Sequence, residues 1–282
     1  MRTGATILAA TAALGLLTMS AGRSGAQSAP NSPNGMPDIV GLYPGMYIGD
    51  AYNLLKAYYP ERGGKVDMQQ QQIHGLNGDK PVVIQLHIPA QDQQGPYDDV
   101  IDVLVTLPPN RQAVWAVNRQ LRFPTGKEPS LEATVAGLRQ KYGPELPGAF
   151  HGVVANTLRW IVDPQGKRVS GAMTECMQST YKLESLRTFV VNPSPRIFEH
   201  LLNAPAGLAG GEACKTFTYL QAEITTNYGG PVAGLTLTMW DVDLGRESGL
   251  RTQAAINGVA NTEEKQADQR QKQIDKSAVP KF

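Results

Sequence analysis

The stretch Gly41–Glu61, GLYPGMYIGDAYNLLKAYYPE, decides the reading of the fold. Within it Ala51, Leu54, Leu55, Tyr58 and Tyr59 stand at i, i+3, i+4, i+7 and i+8, the repeat of a helix with one apolar face. Asp50 is placed to cap its N-terminus, and Pro60 ends it because proline lacks the N–H the next turn needs. A helix this short is marginal alone and must lie on other structure.

The support follows in the sequence. Val82, Ile84, Leu86 and Ile88 alternate with Val83, Gln85 and His87, and Ile101, Val103, Val105 and Leu107 alternate with Val100, Asp102, Leu104 and Thr106. That period of two is the mark of strands with one buried face. Val114–Phe123 and Lys65–Ile73 read as two further strands, with a turn at Pro108-Pro109-Asn110. Ser130 then caps a second helix carrying Leu131, Val135, Leu138 and Tyr142 on one face and stopping at Gly143-Pro144-Glu145. Ala51, Leu54, Tyr58, Pro60 and Glu61 fall on Val135, Leu138, Tyr142, Pro144 and Glu145 at a constant offset of 84. More strands follow: Leu158, Trp160 and Val162 alternate before the turn Asp163–Gly166, and Arg187–Val191, Lys215–Thr226 and Val232–Asp243 read likewise. The expected fold is α+β, with two tandem units at 38–124 and 125–245, each a short helix on an antiparallel sheet of about four strands. Residues 193–213 are a Pro/Gly/Ala-rich excursion, and 246–282 form a polar helical or disordered tail. Thr262–Lys276 holds eight charged residues and four glutamines with Ile274 as its one large apolar side chain, so it has little to pack with.

Composition narrows the class. With 282 residues, 41% hydrophobic and 18% charged, the chain is neither disordered, collagenous nor polytopic. Residues 1–26 read as a signal peptide: a basic Met1-Arg2 start, an apolar run from Ile7 to Met19, and the small-x-small Ser24-Gly25-Ala26 before the cut. The run is too short to span a bilayer, and no twin-arginine pair or lipidation cysteine accompanies it, so the general secretory route and a periplasmic or secreted location are expected, without a transmembrane anchor. Residues 27–37 form a Pro/Ser/Asn-rich leader. Without Arg2 and Arg23 the chain carries 24 basic and 25 acidic residues, and the absence of a basic cluster excludes nucleic acid as a partner. Cys176 and Cys214, the two cysteines, are expected to form one disulfide in an oxidising compartment.

Gly45-Met46 with Ala51 and Leu54, and later Tyr142-Gly143-Pro144 followed by Leu158-Arg159-Trp160-Ile161, resemble the α+β repeats of secreted β-lactamase inhibitor proteins and of the small lipoprotein of the outer-membrane assembly machinery. The opening also resembles that of secreted bacterial proteins with a Gly-Met-plus-helix start and no assigned activity. The second unit has Pro129-Ser130 where the first has Gly-Met. The resemblance implies a fold rather than an activity.

Residue patterns that carry chemistry are few. There is no Gly-x-Ser-x-Gly elbow. Ser179-Thr180-Tyr181-Lys182 is a Ser-x-x-Lys, and Lys215-Thr216 stands on an expected strand, but Phe217 takes the place of the glycine that penicillin-recognising enzymes have there. A secreted serine hydrolase using Ser179 and Lys182 is therefore the catalytic alternative. His74, His87, His151 and His200 lack the spacing of a metal-binding helix; His87 falls on the outward side of its strand, and His74 with Asp79 could meet across a turn. No metal and no cofactor are expected. Asp98, Asp99 and Asp102, and Asp241 and Asp243, read as turn and edge residues. Tyr58 and Tyr59 are expected to seal the first helix onto its sheet, while Tyr43, Tyr47 and Tyr52 lie off the apolar stripe and are the candidate binding residues. The expectation is an exported, non-catalytic binding or envelope-associated protein with a protein partner, alternatively a structural protein that self-associates through a sheet edge.

Overall fold

The computed structural model describes residues 35–58, 65–76, 78, 80–89, 98–146, 150–151, 155–169, 218–227 and 229–276. The chain is α+β, built on one antiparallel sheet. In chain order the elements are α1 (Ile48–Tyr58), β1 (Asp67–Gln71), β2 (Val82–Ile88), β3 (Asp98–Val105), β4 (Val114–Arg122), α2 (Leu131–Tyr142), β5 (Phe150–His151), β6 (Ala155–Val162), β7 (Thr218–Thr226), β8 (Val232–Asp241) and α3 (Val242–Lys276). The eight strands run β1-β2-β3-β4-β8-β7-β6-β5, so β1 to β4 fill one half in chain order and β8 to β5 the other, meeting at the β4–β8 pair.

Register sorts the side chains. Met68, Leu86, Val103, Val117, Met239, Leu220 and Trp160 lie opposite one another across β1, β2, β3, β4, β8, β7 and β6, giving an unbroken apolar row. α1 and α2 cover this first face: Ala51 and Leu55 of one, Leu138 and Tyr142 of the other, share a single buried cluster with Leu86, Val103, Val117, Leu220 and Met239. One residue along each strand, the side chains change face. Asp67, His87, Asp102, Asn118, Thr238, Gln221 and Arg159 then line up across the same seven strands, a polar row on the second face. Beside it runs Leu104, Ala116, Trp240, Tyr219 and Ile161, all buried.

α2 starts and stops as the sequence indicates. The Ser130 hydroxyl accepts from the Ala133 N–H at 3.1 Å, and Gly143, at φ 72°, returns its N–H to the Arg139 carbonyl. α3 begins at Val242, before the expected tail, and its first half packs rather than frays. Ser248 Oγ accepts from the Leu107 N–H at 2.9 Å, Thr252 Oγ1 donates to the Pro108 carbonyl at 2.8 Å, and Ile256 and Val259 lie over Gly75. Gly245 is required here, because a Cβ at that position would stand 2.7 Å from Trp115 Cε3. From Ala260 to Gln273 the helix is exposed. Among the described residues no helix is long and apolar enough to cross a membrane.

The second half departs from the expected strands at two points. β5 was not anticipated, being two residues long, and the expected strand Arg187–Val191 lies outside the described residues. The expected signal peptide, most of the expected leader, Cys176 and Cys214 also lie outside them.

Candidate functional site

Two features stand out: an aromatic edge along α1 and the polar row of the second face. The edge arises because the residues leading into α1 pair with the start of β4. Gly45 N–H donates to the Val114 carbonyl at 2.8 Å, Val114 N–H to Met46 at 2.8 Å, and Ile48 N–H to Gln112 at 3.2 Å. This stitching sets Tyr47 beside Arg111, whose guanidinium carbon lies 4.2 Å from the centre of the tyrosine ring. At the other end of α1 the Arg119 guanidinium lies 5.9 Å from the Tyr58 ring centre and donates to its hydroxyl at 3.3 Å. Arg119 is fixed from behind by a fork onto Asp99, Nε to Oδ1 at 3.0 Å and Nη2 to Oδ2 at 2.8 Å, with Asp99 1% exposed. Tyr58 is the last residue of α1 and Tyr47 directly precedes its first, so the two rings stand at opposite ends of the helix. They are 40% and 42% exposed.

The other candidate tyrosines are placed differently. Tyr43 and Tyr52 are half-buried and pack against the core cluster, so of the three only Tyr47 presents a large exposed ring. Tyr58, expected to seal the helix, stands at its exposed edge instead; the buried face narrows to Ala51 and Leu55. Tyr59, Ser179 and Lys182 lie outside the described residues.

On the second face, His87 Nδ1 and Asp102 Oδ1 are 2.7 Å apart, and Gln85 Nε2 donates to the same oxygen at 2.6 Å. The His87 side chain is 27% exposed and that of Asp102 4%. The hydrogen bond to Asp102 holds the imidazole above its usual pKa, aided by the charges of Asp102 and Asp67 and opposed by burial. Further along the row Thr238 donates to Asn118 Oδ1 at 3.0 Å, Arg159 to Gln221 Oε1 at 3.1 Å, and Gln221 to Glu223 at 2.7 Å. Asp99 and Asp102 are therefore not turn or edge residues: β3 lies inside the sheet, and each buried carboxylate serves a cross-strand partner. Asp241 does cap, accepting the Leu244 N–H at 2.9 Å at the start of α3, and burial raises its pKa.

An imidazole oriented by a carboxylate is half of a general-base device. Among the described residues no hydroxyl or thiol bonds to His87, so the arrangement holds a proton and brings no nucleophile to it. His74 pairs with Glu263 of α3 at 3.3 Å; Asp79 and His200 lie outside the described residues. Among the described residues no three His, Cys, Asp or Glu side chains group to hold a metal ion.

The described residues include two small clefts. One, of about 200 Å³, lies between Pro37, Lys141, Tyr142, Trp160 and Arg168. Arg168 and Trp160 use it to satisfy the end of α2, bonding the Tyr142 and Gly143 carbonyls respectively, and Lys141 is paired with Asp38 at 3.1 Å. The other, of about 160 Å³, lies on the second face between Asp98, Val100, Gln120 and Arg122. Comparison of the chain with protein-family models, with curated proteins and with solved structures finds no match.

Proposed function

We propose that this is an exported, non-catalytic binding protein that engages a protein partner through the α1 edge, with Tyr47 and Tyr58 as anchors and Arg111 and Arg119 as their backing. One observation carries the reading: two large exposed rings at the two ends of α1, each braced by an arginine. Tyrosine concentrates binding energy because its ring brings large contact area at low cost in side-chain freedom, and an arginine held against the ring lowers that cost further. The signal peptide expected at residues 1–26 supports export to the periplasm or beyond, where peripheral envelope association is open to it. The two tandem helix-plus-four-strand units, and the superfamily that the Gly45-Met46 opening resembles, belong to the same proposal; the strand order and the shared 84-residue offset support it. A disulfide between Cys176 and Cys214 in that compartment belongs to the same proposal.

The test is capture of envelope and culture-fluid proteins by the tagged chain and by its Tyr47→Ala/Tyr58→Ala variant. Loss of two anchor rings weakens an interface by about 2 kcal/mol or more, roughly thirtyfold. One protein enriched by the parent chain and lost with the folded double variant is the expected outcome. Equal capture by both refutes the assignment to this edge.

A further inference from the structure

β1 is the last strand of the sheet, and among the described residues no strand pairs with its outer side. Sheet edges are commonly guarded by proline, by a bulge in the edge strand, or by charges that repel a second copy. This edge lacks all three. No proline occurs between residues 65 and 76. The register break between Gln69 and Gln70 places the extra residue, Ile84, on β2, so β1 itself stays regular. Lys65 and Asp67 neutralise each other at 3.3 Å, and the next six residues, Met68-Gln69-Gln70-Gln71-Gln72-Ile73, are uncharged.

We propose that β1 pairs antiparallel with β1 of a second copy of this chain, joining two sheets through a two-fold axis at Gln69. Such a contact is self-complementary by construction. Gln69 meets its own copy, Met68 meets Gln70, and Asp67 meets Gln71. Glutamine amides both donate and accept, so the Gln69 pair bonds to itself across the axis, as in stacked glutamine ladders. Gln71 turns its Oε1 inward, where it is buried, and this leaves its amide N–H₂ to donate to the Asp67 carboxylate of the second copy. Met68, 49% exposed in the single chain, gains cover from the Gln70 side chain opposite. The contact is short, five residues on each side, so the association is weak and set by mass action. It shares no residue with the α1 edge and does not depend on that reading.

The experiment is sedimentation of the full chain over about a hundredfold range of concentration, alongside Gln69→Lys, Gln69→Glu and their equal mixture. Gln69 is exposed, so either charge leaves the fold intact. The parent chain gains mass with concentration, each variant alone stays at monomer mass because like charges face each other on the axis, and the mixture recovers association. The Tyr47→Ala/Tyr58→Ala variant associates as the parent does. A parent chain at monomer mass throughout, a Gln69→Lys chain that associates normally, or a mixture that fails to recover each overturns the proposal.

Discussion

Replacing Asp102 with alanine removes the acceptor at the centre of the second face. Gln85, fully buried, loses the oxygen its Nε2 holds at 2.6 Å and has no water to turn to; leaving such a donor unmet costs about 1–3 kcal/mol. His87, whose side chain is 27% exposed, loses a bond to a charged acceptor but regains water, which holds the cost to about 1.5 kcal/mol, the low end for such bonds. Relief from burying the carboxylate offsets part of this, so the net loss is about 2–3 kcal/mol, a large share of the usual 5–15 kcal/mol of a domain. Urea unfolding followed by tryptophan fluorescence reads it directly, because Trp115, Trp160 and Trp240 are all at most 5% exposed. The pH dependence supplies a second, independent readout. The His87 pKa is raised in the folded protein by its bond to Asp102, so the stabilisation is complete below the unfolded value near 6.5 and is lost as pH rises through the folded value. Asp102→Asn keeps the shape and the acceptor oxygen, costs less than alanine, and flattens this slope to what Asp67 alone sustains. A change below about 0.5 kcal/mol for Asp102→Ala, or an unaltered slope in Asp102→Asn, refutes the coupling of these residues.

Three further outcomes are expected. Gly245→Ala gains about 1 kcal/mol of helix propensity but drives a methyl into Trp115, and overpacking costs about 1–3 kcal/mol, so the variant is destabilised and its Trp emission shifts. Ser130→Ala removes the α2 cap and lowers the unfolding free energy by about 1 kcal/mol without altering capture of a partner. Tyr43→Ala, unlike Tyr47→Ala, lowers thermal stability because its ring packs on the core; equal melting of the two variants contradicts their placement.

The local signals in the sequence were the legible ones. The Ser130 cap and the Gly143 stop depend on neighbours a few residues away and appear where expected. The expected alternation of Val82–Ile88 instead breaks at Ile84, where the register against β1 shifts, so that Val83 packs with Leu86 and Ile88 while Val82 and Ile84 join a second cluster. Features set by strand register were hidden. Asp99 and Asp102 cluster in sequence like turn carboxylates, yet their partners Arg119 and His87 are twenty and fifteen residues away and meet them only through the β3–β4 and β2–β3 pairs. α3 escaped an apolar-stripe search because its contact line mixes hydroxyls with aliphatics, Ser248 and Thr252 bonding to carbonyl and amide groups beside Ile256 and Val259. Tyr58 followed the helical repeat into the expected core, but the sheet supplies an arginine rather than an apolar partner at that end of α1.

The most direct test of the α1 edge is site-specific photo-crosslinking, with a photoreactive phenylalanine analogue placed in turn at Tyr47, at Tyr58 and at Glu132, an exposed residue of α2. In envelope and culture-fluid fractions, the account predicts one and the same adduct from Tyr47 and Tyr58 and none from Glu132. No adduct from either tyrosine position, or the same adduct from Glu132, contradicts it.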